Sequence, residues 1–145
     1  MVSEKIVIKA PPEVVFEAIR KQRTGADKNR TLQSFDGKTA VVKEELDGVP
    51  VFGKVECVWE EVEEPFTRVN FKMLSSSKFK ESHGAYILVA SNDGKSTTLE
   101  LQAHMDAGLN IPFAAELTKQ STSKDSKLRL ERIKKLAEDD FKAST

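Results

Sequence analysis

Glu44 and Tyr86 are the side chains of acid/base type that fall at inward positions of otherwise apolar strands. A carboxyl group inside a protein must be paired, hydrated or protonated. These residues are therefore the catalytic candidates. A plainer expectation stands beside them, in which Glu44 lies near the end of its strand, at the rim, in water. The chain has two histidines, His83 and His104, and the strand register sets them opposite each other on an outer face. Two imidazoles can ligate a transition metal, but no carboxylate or cysteine completes the set, and Gln102 and Glu100 are weak substitutes. A solvated pair is expected there, and no metal. Cys57, the single cysteine, faces inward without a histidine partner and reads as an inert buried thiol. Gly94-Lys95-Ser96 looks like the end of a phosphate-binding loop. Val89, however, stands where that pattern needs glycine, and a strand follows where it needs a helix. No Ser-His-Asp spacing stands out. The acidic run Glu60, Glu61, Glu63, Glu64 and the basic tail Arg129, Arg132, Lys134, Lys135 read as solvated faces. No cofactor is expected.

These positions depend on the elements that carry them. Residues 4–9 read as a short strand, stopped by Pro11-Pro12. Pro12 suits the first turn of a helix, and Val15, Phe16 and Ile19 give that helix an apolar stripe, ending near Gln22 to Gly25. Residues 21–30 are polar and basic, with little to bury. Six strand-like runs follow, at 31–35, 38–46, 51–62, 66–74, 79–90 and 96–105. Asp36-Gly37, Asp47-Gly48 and Asp93-Gly94 mark turns between them. A helix is then expected from Asn110, as its cap, with Pro112 in its first turn, to about Phe141. At ~1.5 Å per residue it is roughly 45 Å long. That exceeds the width of a domain this size, so an antiparallel sheet must wrap around it, and the fold class is α+β.

Registers define the interior. With Asp93-Gly94 as a hairpin tip, Leu88 faces Leu99, Tyr86 faces Leu101 and Gly84 faces Ala103. Thr97, Leu99, Leu101, Ala103 and Met105 then face the helix. From Asp47-Gly48, Val42, Glu44 and Leu46 lie beside Val55, Gly53 and Val51, and Val55, Cys57 and Trp59 face inward. The apolar phase slips between Trp59 and Val62. A β-bulge at Glu60-Glu61 would restore agreement with Val69, Phe71 and Met73 on the next strand. In the long helix, residues 118–127 hold no large apolar side chain. Leu117, Ser121 and Lys124 or Asp125 share one face there. Small residues on a buried face leave a cavity; the alternative is an exposed or broken stretch of helix.

At 145 residues the chain is read as a single domain, 1–145, long enough for a sizeable core. It carries 23 basic and 23 acidic residues, a balance that argues against a dedicated nucleic-acid binder. No apolar run approaches the ~20 residues of a membrane span. The opening MVSEKIVIKA lacks the apolar stretch of a signal peptide, so a cytoplasmic, reduced setting is expected. A monomer is expected, with a dimer open.

The pieces resemble the START-related helix-grip superfamily, also called SRPBCC or polyketide cyclase/dehydrase and lipid transport proteins. IKAPPEVVFEAI is similar to that family's first strand, proline-led turn and first helix. GAYILVASNDGKSTTLELQ resembles its penultimate hairpin, and KLRLERIKKLAED the tail of its C-terminal helix. The resemblance covers essentially the whole chain. It implies a curved antiparallel sheet of about seven strands around the long C-terminal helix, with a short helix after strand 1. One departure is visible: the family's short helix with Trp or Tyr after the first helix is replaced by residues 20–29, which hold no aromatic. The family uses a cavity between sheet and helix for lipids, sterols and polyketides. Here that cavity would be bounded by Val42, Glu44, Val55, Cys57, Trp59, Phe71, Met73, Tyr86, Leu88, Leu99, Leu101, Leu117 and Ser121. Trp59 reads as core before it reads as a ligand platform. The resemblance implies non-catalytic binding or transport of a small apolar ligand. The alternatives are a cyclase, aromatase or dehydratase acting through Glu44 and Tyr86, and an interaction module like the superfamily's chaperone-activating branch.

Overall fold

Period-two alternation organises most of the chain, and the computed structural model turns it into one sheet. The structure describes residues 1–23, 29–49 and 51–144. The elements run β1 (Val2–Ile8), α1 (Pro12–Lys21), β2 (Arg30–Phe35), β3 (Thr39–Val49), β4 (Gly53–Glu64), β5 (Arg68–Ser76), β6 (Glu81–Ala90), β7 (Thr97–Asp106) and α2 (Ala114–Ser144). The sheet has seven strands in the order β1-β7-β6-β5-β4-β3-β2, every neighbouring pair antiparallel. The expected architecture is present: a curved sheet, a long C-terminal helix against its inner face, and a short helix after β1.

Two apolar clusters form inside. The larger joins Ile8, Val15, Phe16, Ile19, Val69, Leu88, Leu99, Leu101, Leu130 and Ile133. It therefore locks β1, α1, β5, β6, β7 and the second half of α2 together. Burying each Leu, Ile or Phe side chain contributes about 1.5–3 kcal/mol. On α2 the buried residues are Ser126, Leu130, Ile133 and Ala137, spaced four, three and four apart on one face. The first turns of α2, before Ser126, bury nothing. The helix is thus anchored by its C-terminal half and stands off the sheet over its N-terminal half. The smaller cluster, Ala40, Val42, Val55, Cys57 and Trp59, lies under β3 and β4.

The β6–β7 register is the expected one, with Leu88, Tyr86 and Gly84 opposite Leu99, Leu101 and Ala103. Elsewhere the structure corrects the expectations. β3 runs on to Val49 and β4 begins only at Gly53, so the turn lies further along the chain and Val42, Glu44 and Leu46 pair with Trp59, Cys57 and Val55. The slip from the expected pairing is even, so each side chain keeps its face. No bulge occurs at Glu60-Glu61; the β3–β4 ladder runs unbroken from Thr39↔Val62 to Leu46↔Val55. The extra residue lies on β5 instead, where Leu74 falls between the pairs Val58↔Ser75 and Trp59↔Met73. Burial along β4 then alternates strictly, and Glu61 and Glu63 take inward positions. α2 begins after Pro112. Phe113 has φ of 61°, a left-handed conformation that a helix cannot include, and the amide of Ala114 donates to the carbonyl of Ile111. The expected end of α1 reaches into residues 24–28, which lie outside the described residues.

Gly84 is a glycine because nothing else fits. A Cβ there would stand 2.0 Å from the Gln102 carbonyl oxygen and 2.6 Å from the Phe71 ring. Phe71 is paired with Gly84 across β5 and β6, and its ring occupies the space a side chain would take.

Two substitutions test this packing by urea denaturation. Leu99→Ala should cost about 2–5 kcal/mol, as at other filled core sites. Gly84→Ala should cost about 1–3 kcal/mol or more, because backbone must move. A loss below about 0.5 kcal/mol for Gly84→Ala, as at an ordinary surface position, would contradict the β5–β6–β7 registers.

Candidate functional site

Where α2 stands off the sheet, a cavity of about 380 Å³ lies between them. Its wall is built from the inward residues of β3 to β7. Trp59, Phe71 and Tyr86 form a run of rings across β4, β5 and β6, with centroid spacings of 5.8 and 5.7 Å. Leu101, Ala103 and Met105 on β7 continue the apolar surface. The helix side is small and polar: Thr118, Ser121, Thr122, Asp125 and Ser126. The bordering residues at the β3–β4 turn and the start of α2, among them Asp47, Gly48, Val51, Leu117 and Ser121, are exposed, which places the mouth there. Val51 holds φ of 74° at this rim, a strained conformation for a β-branched residue.

The opposite end is charged. Glu44 is 1% exposed and does not lie in water at a rim. Its carboxylate accepts hydrogen bonds from Trp59 Nε1 at 3.0 Å and from Arg129 Nη2 at 2.7 Å. Arg129, on α2, also donates from Nε to Asp125 Oδ2 at 2.8 Å, one helical turn away. Arg30 Nε stands 3.6 Å from the same Glu44 carboxylate, and Arg30 Nη2 stands 3.6 Å from Glu61. Beyond them, Arg23 donates to Glu61 and Glu63, and Arg20 forks onto Glu63 at 2.6 and 2.9 Å. Charges thus alternate from Asp125 through Arg129, Glu44, Arg30, Glu61, Arg23 and Glu63 to Arg20 at the surface. Glu61, Glu63 and Arg129 are part of this string, not solvated faces, and residues 21–30 bury two guanidinium groups, those of Arg23 and Arg30.

Burial alone would raise the Glu44 carboxyl, but Arg129 and Arg30 outweigh it and hold it below its ordinary value of 4.5. Burial would likewise lower Arg129, but Glu44 and Asp125 raise it, so the guanidinium stays charged. Tyr86 is pushed up by burial, against the pull of Arg129 and Arg30, so its hydroxyl keeps its proton. The buried nitrogen Arg30 Nε has no hydrogen-bond partner among the described residues. A tyrosine hydroxyl and two guanidinium groups are therefore the donors at the inner end. Glu44 is an ionised carboxylate already engaged on both oxygens, which suits it to holding Arg129 and not to moving protons.

Of the residues expected around a cavity, Glu44, Trp59, Phe71, Tyr86, Leu101, Leu117 and Ser121 border this one. Val42, Val55, Cys57 and Met73 pack in or against the smaller cluster, and Leu88 and Leu99 in the larger. Burial also pushes the Cys57 thiol up, consistent with an inert thiol. Leu117 and Ser121 lie at the mouth, and the small buried helix residue that borders the cavity is Ser126. Arg30, Glu61, Ser126 and Arg129 went unrecognised as cavity residues in the sequence, whereas Asp125 was one of two alternatives for the helix face there. The strict alternation Val55, Cys57, Trp59, Glu61, Glu63 was the signal for the glutamates.

Because the carboxyls of Glu44 and Glu63 are both depressed, their contribution to stability is complete above about 4.5 and is lost as pH falls through their lowered values. The urea midpoint should fall steeply below pH ~4.5. Glu44→Gln should be less stable at neutral pH and show a shallower acid limb. An acid limb of unchanged slope would contradict the assigned state of Glu44.

The sequence model for the family described as polyketide cyclase / dehydrase and lipid transport matches residues 1–138. No curated protein sequence matches the chain. Among solved structures, an aromatase/cyclase from Streptomyces sp. R1128 is 16% identical, with 94% of this chain and 92% of that one covered at a TM-score of 0.76. A protein of Thermus thermophilus is 20% identical, with 99% and 98% covered at a TM-score of 0.70. A START superfamily protein from Mycobacterium smegmatis is 14% identical, with 99% and 98% covered at a TM-score of 0.66. At these identities the structures share the fold. The family itself follows from the sequence match over nearly the whole length: this chain belongs to the polyketide cyclase / dehydrase and lipid transport family.

Proposed function

We infer that this protein binds a small, largely apolar molecule in the cavity between sheet and α2, with a carbonyl or hydroxyl oxygen turned toward Tyr86, Arg30 and Arg129. The single observation that carries this reading is an apolar cavity of about 380 Å³ with hydrogen-bond donors gathered at its closed end. Ligand sites commonly have this composition and a volume of roughly 300–1,000 Å³. Membership of a family named for polyketide and lipid handling supports the same class of ligand. Among the described residues no helix is long and apolar enough to cross a membrane.

The donors at the inner end favour a second reading, an enzyme of the cyclase or dehydratase kind. A protonated Tyr86 and two guanidinium groups around a ketone oxygen would stabilise an enolate, as fixed donors do for developing oxyanions. The catalytic candidates then become Tyr86, Arg30 and Arg129, with Glu44 positioning Arg129. The Streptomyces neighbour is an aromatase/cyclase, which gives this reading a precedent on the fold.

Mass spectrometry of molecules extracted from the purified protein should find an aromatic or alicyclic compound with at least one oxygen. A naphthalene fluorophore should brighten on binding, and Ser126→Leu, which places bulk inside the cavity, should weaken it about tenfold or more while costing under about 1 kcal/mol of stability. Equal affinity in Ser126→Leu would place the probe elsewhere. Turnover of a poly-β-ketone thioester that is lost in Tyr86→Phe would select the enzyme reading; intact substrate that only binds would select the carrier.

A further inference from the structure

On the opposite face of the sheet, away from the cavity, β6 and β7 bring together a second set of chemically able side chains. His83 and His104 are a direct cross-strand pair, with imidazole centroids 5.0 Å apart and ring planes inclined by 35°. Glu81 lies two residues before His83 on the same strand and therefore on the same face. Its Oε1 stands 3.1 Å from His104 Nε2. One donor atom from each residue lies within 4.8 Å of the other two, and this is the one such grouping of three among the described residues. The sequence alone suggested an incomplete pair; the third donor comes from the register.

We propose that Glu81, His83 and His104 bind a divalent transition-metal ion of the zinc, copper or nickel class. Two neutral imidazole nitrogens and one carboxylate oxygen suit these borderline ions, and copper(II) should bind tightest. Bonds of about 2.0–2.1 Å in a tetrahedral site set donor atoms roughly 3.3 Å apart. The donors must therefore close by about 1.5 Å at most, which side-chain rotation supplies. Their Cα positions are already fixed by the β6–β7 ladder. Each residue is exposed or half-buried, so an ion has direct access. Lys72, opposite His83 on β5, sets one cation beside the cluster, and Asp106, opposite Glu81 on β7, sets a second carboxylate there, which the Lys80 ammonium faces at 3.7 Å. Three protein donors leave at least one coordination position for water or an outside ligand.

The test uses the chain without added histidines, titrated separately with zinc chloride and copper sulfate. Because the chain has two histidines, each imidazole signal can be assigned from a single variant. One equivalent of zinc should shift both His83 and His104 Hε1 resonances together. His104→Gln should weaken calorimetric binding about tenfold or more, and Glu81→Gln by a smaller factor. Both positions are at the surface, so the variants should melt as the parent does. Absence of any shift at millimolar zinc, response of only one imidazole, or unchanged affinity in His104→Gln would overturn the site. Unchanged affinity in Glu81→Gln would overturn the triad.

Discussion

The carboxylate of Glu44 cannot be buried alone. Taking an unpaired charge out of water costs several kcal/mol even after relaxation. At 1% exposure it must be met by donors, and Trp59 and Arg129 meet it. Arg129 comes from α2, so the bond ties helix to sheet across the cavity's inner end. It also requires Asp125 one turn earlier on α2 and sets Arg30 between Glu44 and Glu61. The string continues outward through Arg23 and Glu63 until Arg20 reaches solvent. A hydrophobic replacement of such a network is often neutral or stabilising. Its presence beside a cavity marks that end of the cavity as a candidate functional site, in addition to its tie between helix and sheet.

Two regions divide the work. The larger apolar cluster fixes α1, the C-terminal half of α2 and the strands beneath them. Between Leu117 and Leu128, α2 has no large apolar residue to bury, and the aromatic wall of Trp59, Phe71 and Tyr86 faces that gap. Gly84 leaves the space that the Phe71 ring takes in the wall. The same sheet thus packs tightly at one end, stays open at the other, and carries its polar groups where the two meet.

Much of this was legible. Turn dipeptides and alternation placed the strands, the β6–β7 register and the inward set of Leu99, Leu101 and Tyr86. The resemblance of the opening and closing segments indicated the helix-grip fold. The errors have physical sources. Placing the bulge at Glu60-Glu61 assumed that glutamate avoids the interior. The structure keeps the alternation and pairs the glutamates with arginines from residues distant in sequence. Leu74, where the extra residue lies, has no distinctive local signal. Glu44 looked like a rim residue because its partner Arg129 is 85 positions away in the chain. Ion pairs between distant segments leave no periodic trace. Glu81 was overlooked beside the histidines for a related reason: its approach to His104 is diagonal across two strands.

The central claim is that the Glu44–Arg129 pair holds α2 over the cavity, and a double-mutant cycle measures it directly. Removing one partner of a buried pair typically costs about 3–5 kcal/mol, because the other is left uncompensated. Glu44→Leu and Arg129→Met should each show such a loss in urea denaturation. The double variant should cost clearly less than their sum, with a coupling of about 1 kcal/mol or more. Additive losses within about 0.5 kcal/mol would mean that the two side chains act independently, and would contradict the account.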